Sequence, residues 1–220
     1  MIQRRTFTTL AAGLGATASV LPALLPSTAR AQAAAALPPG SYTRVNPPAP
    51  TAVAGKIEVV EFFSYACPHC HEFEPVLDAW AAKLPADVAL RRVPIAFRSS
   101  WAPLQRLYFA LEGMNAVTPA LQRKIFDALH NAHARLDDPA VAADFVARNG
   151  VDRAKFVALY NGFAMQGKLA AANRLGQAYN IEGVPSLGVG GRFLTAPSMV
   201  GNNQKALAVV DALVAELRKG

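Results

Sequence analysis

The run Ile57-Glu58-Val59-Val60-Glu61-Phe62-Phe63 is separated by three residues from Cys67-Pro68-His69-Cys70, and this junction constrains the fold more than any other feature. The run is β-branched and aromatic, and reads as a buried central strand. From Pro68 to Lys83, Phe73, Val76, Leu77 and Trp80 recur at helical spacing, with Pro75 inside the helix and expected to kink it. A Cys-x-x-Cys at a strand-to-helix junction puts its first sulfur at the first helical turn, where unpaired backbone N–H groups stabilise a thiolate. The thiolate is the species that attacks a disulfide. Cys67 is therefore expected to be exposed and reactive, and Cys70, one turn further in, to be sheltered and able to close an S–S bond. Pro68 suits the first helical position, where its missing N–H is not needed. His69 adds a donor or a positive charge beside the sulfur. A more stable thiolate makes the reduced form more stable and the disulfide more oxidising.

Cys67 and Cys70 are the chain's two cysteines. Hydrophobic residues make up 52% and charged residues 17%, a balance that excludes disorder for the bulk of the chain. About 190 residues bury a core without covalent staples, and a bridge closing so short a loop constrains the unfolded chain little. Chemistry is thus favoured over reinforcement and over two inert thiols. A zinc site would draw on Cys67, His69, Cys70 and His71, but neighbours on one turn cannot all converge on a tetrahedral ion. His130 and His133 are expected on one solvated helix face. A sharper rival is c-type haem attachment, which Cys67-x-x-Cys70-His71 also matches, with Met114, Met165 or Met199 as axial ligand. The strand running straight into the motif weighs against it.

Residues 1–31 read as a cleaved export signal: Arg4-Arg5, an apolar stretch from Leu10 to Leu25, and Ala29-Arg30-Ala31 as the cleavage site before Gln32. A membrane helix would need a longer run than this one, which ends in Pro22 and Pro26. The arginine pair followed by Thr6-Phe7 partly matches a twin-arginine signal, the alternatives being general export and a mitochondrial presequence. The chain has 22 basic and 15 acidic residues, a net charge of +7. Setting aside Arg4, Arg5 and Arg30 leaves 19 against 15, a net of +4 with no basic run longer than two, which argues against a nucleic-acid partner.

Residues 32–56 are rich in Ala, Pro and Gly and read as a flexible lead-in, with a candidate short edge strand at Ser41–Val45. After the helix that carries the cysteines, Val88–Ile95 reads as a strand and residues 99–179 as helices. Thr118-Pro119 and Asp138-Pro139 are helix starts and Gly150 a helix stop. Ser186–Val189 and Arg192–Leu194 read as a hairpin turned at Gly190-Gly191, and residues 202–218 as a final amphipathic helix with Leu207, Val210, Leu213, Val214 and Leu217 on one side. The fold class is an α/β domain interrupted by a helical block: residues 57–98 and 180–220 on either side of 99–179. A reactive group is expected at the C-terminal end of the first strand.

Val60-Glu61-Phe62-Phe63-Ser64-Tyr65-Ala66-Cys67-Pro68-His69-Cys70 closely resembles the active-site segment of the DsbA family of bacterial periplasmic thiol:disulfide interchange proteins, within the thioredoxin superfamily. Gly183-Val184-Pro185-Ser186-Leu187 is similar to that family's cis-proline loop, and the likeness covers about residues 41–218. The resemblance implies a thioredoxin fold with an inserted helical domain. It implies Cys67 as nucleophile, Cys70 as resolving thiol, the two as a redox-active disulfide, and His69 as stabiliser of the thiolate. Pro185 would be cis, and Pro68, Val184 and Pro185 would meet an extended substrate segment. Glu61 matches a buried acid thought to assist proton transfer, the alternative being a solvent-facing glutamate. Glu74 matches a further acid, and the family's buried lysine has no placed counterpart, the comparable strand holding Arg91 and Arg92. The implied role is oxidation of reduced exported polypeptides by a periplasmic monomer with no bound cofactor or metal, reoxidised by a DsbB-like quinone-linked membrane oxidase. The alternatives are a reductase or isomerase of the same fold, a chaperone or adaptor, and the cytochrome.

Overall fold

The computed structural model describes residues 37–219. The signal read over residues 1–31 and the first residues of the lead-in lie outside them. The elements are β1 (Thr43–Arg44), β2 (Ile57–Phe63), α1 (Pro68–Ala81), β3 (Val88–Pro94), a 3-10 turn at Ser99–Trp101, α2 (Ala102–Glu112), α3 (Pro119–His130), α4 (Pro139–Arg148), α5 (Arg153–Asn161), α6 (Ala164–Ala178), β4 (Ser186–Val189), β5 (Phe193–Thr195), α7 (Pro197–Val200) and α8 (Asn203–Leu217). The strands form one sheet in the order β1-β5-β4-β2-β3. β2 pairs with β3 in parallel and with β4 antiparallel.

β2 is central, and both of its faces are covered. Val59 joins Phe73 and Leu77 of α1 and the apolar side of α8. Val60 and Phe62 join the core shared with α2 and α3. Burial on both faces explains why this strand reads as one apolar run rather than as an alternation. Thr118 and Asp138 cap their helices, accepting from Leu121 N and from Ala140 N and Val141 N. The β4–β5 turn places Gly190 and Gly191 at φ 57° and 71°, the left-handed conformations that a two-residue hairpin turn demands.

The sequence reading departs from the structure in three places. Residues 41–49, read within a flexible lead-in, are fastened to the sheet: Thr195 Oγ1 donates to Ser41 O, Val45 N to Arg192 O and Ala49 N to Gly191 O. The short helix α7 was not anticipated, and neither was the cis peptide at Asn46–Pro47. Pro75 lies inside α1, as expected. Among the described residues no helix is long and apolar enough to cross a membrane.

Candidate active site

β2 delivers the chain to the N-terminus of α1, where Cys67 is the N-cap residue, extended at φ −95° and ψ 118°, and Pro68 opens the helix. Both cysteines are free thiols. The Cys70 thiol donates to the Cys67 sulfur, which is the main cause of a Cys67 pKa lowered to about 6. Partial burial opposes this shift, while the backbone N–H groups of Cys70 and His69 and the positive charge of His69 assist it. Cys70 moves the other way: burial above all, then the neighbouring Cys67, pushes its thiol well up. The two sulfurs are thus chemically unequal, one poised as a thiolate and the other held protonated.

The Cys67 sulfur lies 3.4 Å from the carbonyl oxygen of Val184, and the Val184–Pro185 peptide is cis. Contact with this loop corrects one expectation: Cys67 is 7% exposed rather than open, and Cys70 is fully buried. His69 acts on the sulfur through its backbone and its charge. Its side chain is 75% exposed and its Nδ1 sits 3.3 Å from Glu72 Oε2, so its hydrogen bond to the sulfur comes from the backbone rather than the ring. In the reduced protein, alkylation of Cys67 by iodoacetamide is expected to follow a single titration with a midpoint of about 6, fast above it and slow below, with Cys70 unreactive throughout. A midpoint near the ordinary thiol value of 9.0 would overturn this account of the sulfur.

Beneath the cysteines lies a buried ion cluster. Glu61 is fully buried on the β2 face that meets α1, and the parallel register sets it opposite Arg92. Arg92 Nε donates to Glu61 Oε2 at 3.1 Å, and its Nη2 donates to Glu74 Oε1 at 3.1 Å and Asp78 Oδ1 at 2.7 Å. Cys70, Glu74 and Asp78 are successive positions four apart on one face of α1. That spacing was a legible signal for Asp78, which the sequence reading passed over. Burial raises Glu61 to about 7 against the pull of Arg92. Burial and the charge of Glu61 raise Glu74 to about 8. Arg92 inside the cluster and Arg123, whose Nη2 lies 3.8 Å from Asp78 Oδ2 at its edge, face three carboxylates, which leaves the cluster a ready holder of a proton at neutral pH, next to the thiol that must gain and lose one.

α3 braces the active-site segment from the other side. His130 Nε2 is 2.8 Å from Tyr65 O, the Tyr65 hydroxyl meets Gln122 Oε1, and His71 Nε2 is 2.9 Å from Asp127 Oδ1. The His71 ring stacks on Phe126 and His130. His130 is therefore a packing residue, and His133 lies beyond α3 at φ 51°, so the two do not share a solvated helix face. His71, which the haem reading requires as a ligand, has its Nε2 turned to Asp127, and Met165 is buried in the core.

Comparison with known proteins agrees with this geometry. The model of the DSBA-like thioredoxin domain family matches residues 58–213. The chain belongs to this family. It is 42% identical to the thiol:disulfide interchange protein DsbA of Bordetella pertussis over 99% of this chain and all of that one. The crystal structure of Pseudomonas aeruginosa DsbA superposes with a TM-score of 0.79 at 38% identity, covering 82% of this chain and 93% of that one. That of the oxidoreductase DsbA from Xylella fastidiosa gives 0.75 at 31%, covering 82% and 96%. The fold is accordingly the DsbA-like thioredoxin fold interrupted by helices, and the protein is a thiol:disulfide oxidoreductase. The position of β3 that faces Glu61 of β2 is Arg92.

Proposed function

We propose that this protein oxidises paired thiols of exported polypeptides in the periplasm, with Cys67 as nucleophile and Cys70 as resolving thiol. The observation that carries the reading is the placement of Cys67 at the N-cap of α1, against the Val184 carbonyl, with Cys70 buried behind it. A substrate thiolate attacks the Cys67 sulfur of the Cys67–Cys70 disulfide and the S–S bond breaks toward Cys70, which takes up a proton. A second substrate thiolate then attacks its own partner sulfur and releases Cys67 as a thiolate. The substrate loses two electrons and the Cys67–Cys70 pair gains them.

In this reading the backbone N–H and charge of His69 hold the Cys67 thiolate, and Glu61 exchanges a proton with Cys70. Pro68, Val184 and Pro185 line the path of the extended substrate. Residues 57–98 and 180–220 act as the thioredoxin-like unit, 99–179 as the inserted helical domain and 1–31 as the export signal. The dithiol returns to its disulfide through a quinone-linked membrane oxidase of the DsbB kind, and the protein works as a monomer. Equilibration with glutathione buffers tests the direction. A stabilised Cys67 thiolate favours the reduced form, so the couple is expected to be more oxidising than thioredoxin's, about −270 mV. A potential at or below that value would reverse the assignment to a reductase.

A further inference from the structure

A groove of about 820 Å³ runs beside the reacting sulfur. Val184, whose carbonyl contacts Cys67, lines it, as does His69 two positions after Cys67. Pro185, Leu194, Ala196 and Met199 give it an apolar lining. Its acidic side chains are Glu72 and Glu182, its one basic group is the His69 ring, and among the described residues no lysine or arginine lines it. Glu72 lies on α1, five residues after Cys67, and Glu182 lies two residues before Val184. The two carboxylates therefore come from the two segments that meet at the sulfur. Both are exposed; Glu72 pairs with the His69 ring at 3.3 Å, and Glu182 makes no ion pair among the described residues. The chain as a whole carries an excess of cations, so the groove's two carboxylates run against the overall balance.

We propose that Glu72 and Glu182 make this oxidoreductase selective for cysteines flanked by lysine or arginine, drawing cationic segments into the groove and disfavouring acidic ones. The inference rests on the exchange chemistry proposed above and names the substrate class for it. The rim carboxylates act in a solvated setting, where each pair contributes little to affinity and more to the rate of encounter.

The test uses the full chain in its disulfide form and three peptides that differ only in the residues on either side of one cysteine: lysine, glutamine or glutamate. Second-order rates of mixed-disulfide formation are expected to fall in the order lysine, glutamine, glutamate, by about two- to fivefold per step at low salt. The differences should shrink as salt screens them. In Glu72→Gln/Glu182→Gln the lysine-to-glutamate ratio should move toward one. Equal rates for the three peptides, or a ratio unmoved in the double variant, would overturn the selectivity while leaving the exchange reaction standing. Failure of all three peptides to react would overturn the exchange reading and the selectivity with it.

Discussion

Cys67→Ser is expected to lower the oxidation of a dithiol peptide to background, by about three orders of magnitude or more, the scale on which loss of a covalent nucleophile is felt. The serine is nearly isosteric, and Cys67 sits at the N-cap of α1 on the edge of the core cluster, so the variant should keep the fold of the parent. Cys70→Ser is expected to behave differently. It keeps the reactive sulfur beside Val184 and loses the thiol that would release a bound partner. Cys67 should therefore remain joined to single-cysteine peptides, visible as a mass increase that dithiothreitol removes. Together the variants separate attack from resolution. Full activity in Cys67→Ser would sink the proposed chemistry, and so would accumulation of mixed disulfides on Cys70 instead of on Cys67.

The strand-to-helix junction was legible because two independent patterns meet there, a run buried on both faces and a Cys-x-x-Cys at its end. The helix starts at Thr118 and Asp138 were legible for a local reason: an N-cap side chain and a following proline need no tertiary information. What the sequence withheld depends on contacts far apart along the chain. Cys67 reads as exposed from its own neighbours, yet a loop more than a hundred residues later covers it. His69 reads as a donor or a charge beside the sulfur; on this turn its ring reaches Glu72, the hydrogen bond to the sulfur comes from its backbone N–H, and the ring acts by its charge. The choice between Arg91 and Arg92 illustrates register most clearly. A slip of one residue in β3 sends a side chain to the opposite face. The actual pairing puts Arg92 among Glu61, Glu74 and Asp78, while Arg91 lies 3.8 Å from Glu58. No local pattern in Leu90-Arg91-Arg92-Val93 decides between them.

Arg92→Leu is expected to be the most destabilising single substitution near the site, costing about 3–5 kcal/mol, the usual result of removing one partner from a buried ion pair. For a domain of this size that corresponds to a fall in Tm of roughly 6–20 °C. The guanidinium is the common counter-charge of Glu61, Glu74 and Asp78, and without it only Arg123, 3.8 Å from Asp78 Oδ2, remains beside these buried carboxylates. The loss should depend on pH with a definite sign. Glu61 and Glu74 have folded-state values raised to about 7 and about 8, above the ordinary 4.5. The folded state therefore binds more protons than the unfolded state between these limits, and stability falls as pH rises through the window. Removing Arg92 strengthens that trend, because Arg92 opposes the shift in both groups. The deficit of Arg92→Leu against the parent should be small near pH 5, where both glutamates hold their protons, and largest above pH 8. Adding Glu61→Gln to Arg92→Leu takes away a charge that has lost its partner, and should restore about 1–3 kcal/mol of the deficit. Urea denaturation of the parent, Arg92→Leu and the double variant at the two pH values measures all of this. A deficit that is the same at both pH values, or a double variant less stable than Arg92→Leu alone, would mean that Arg92 contributes by packing and not by charge.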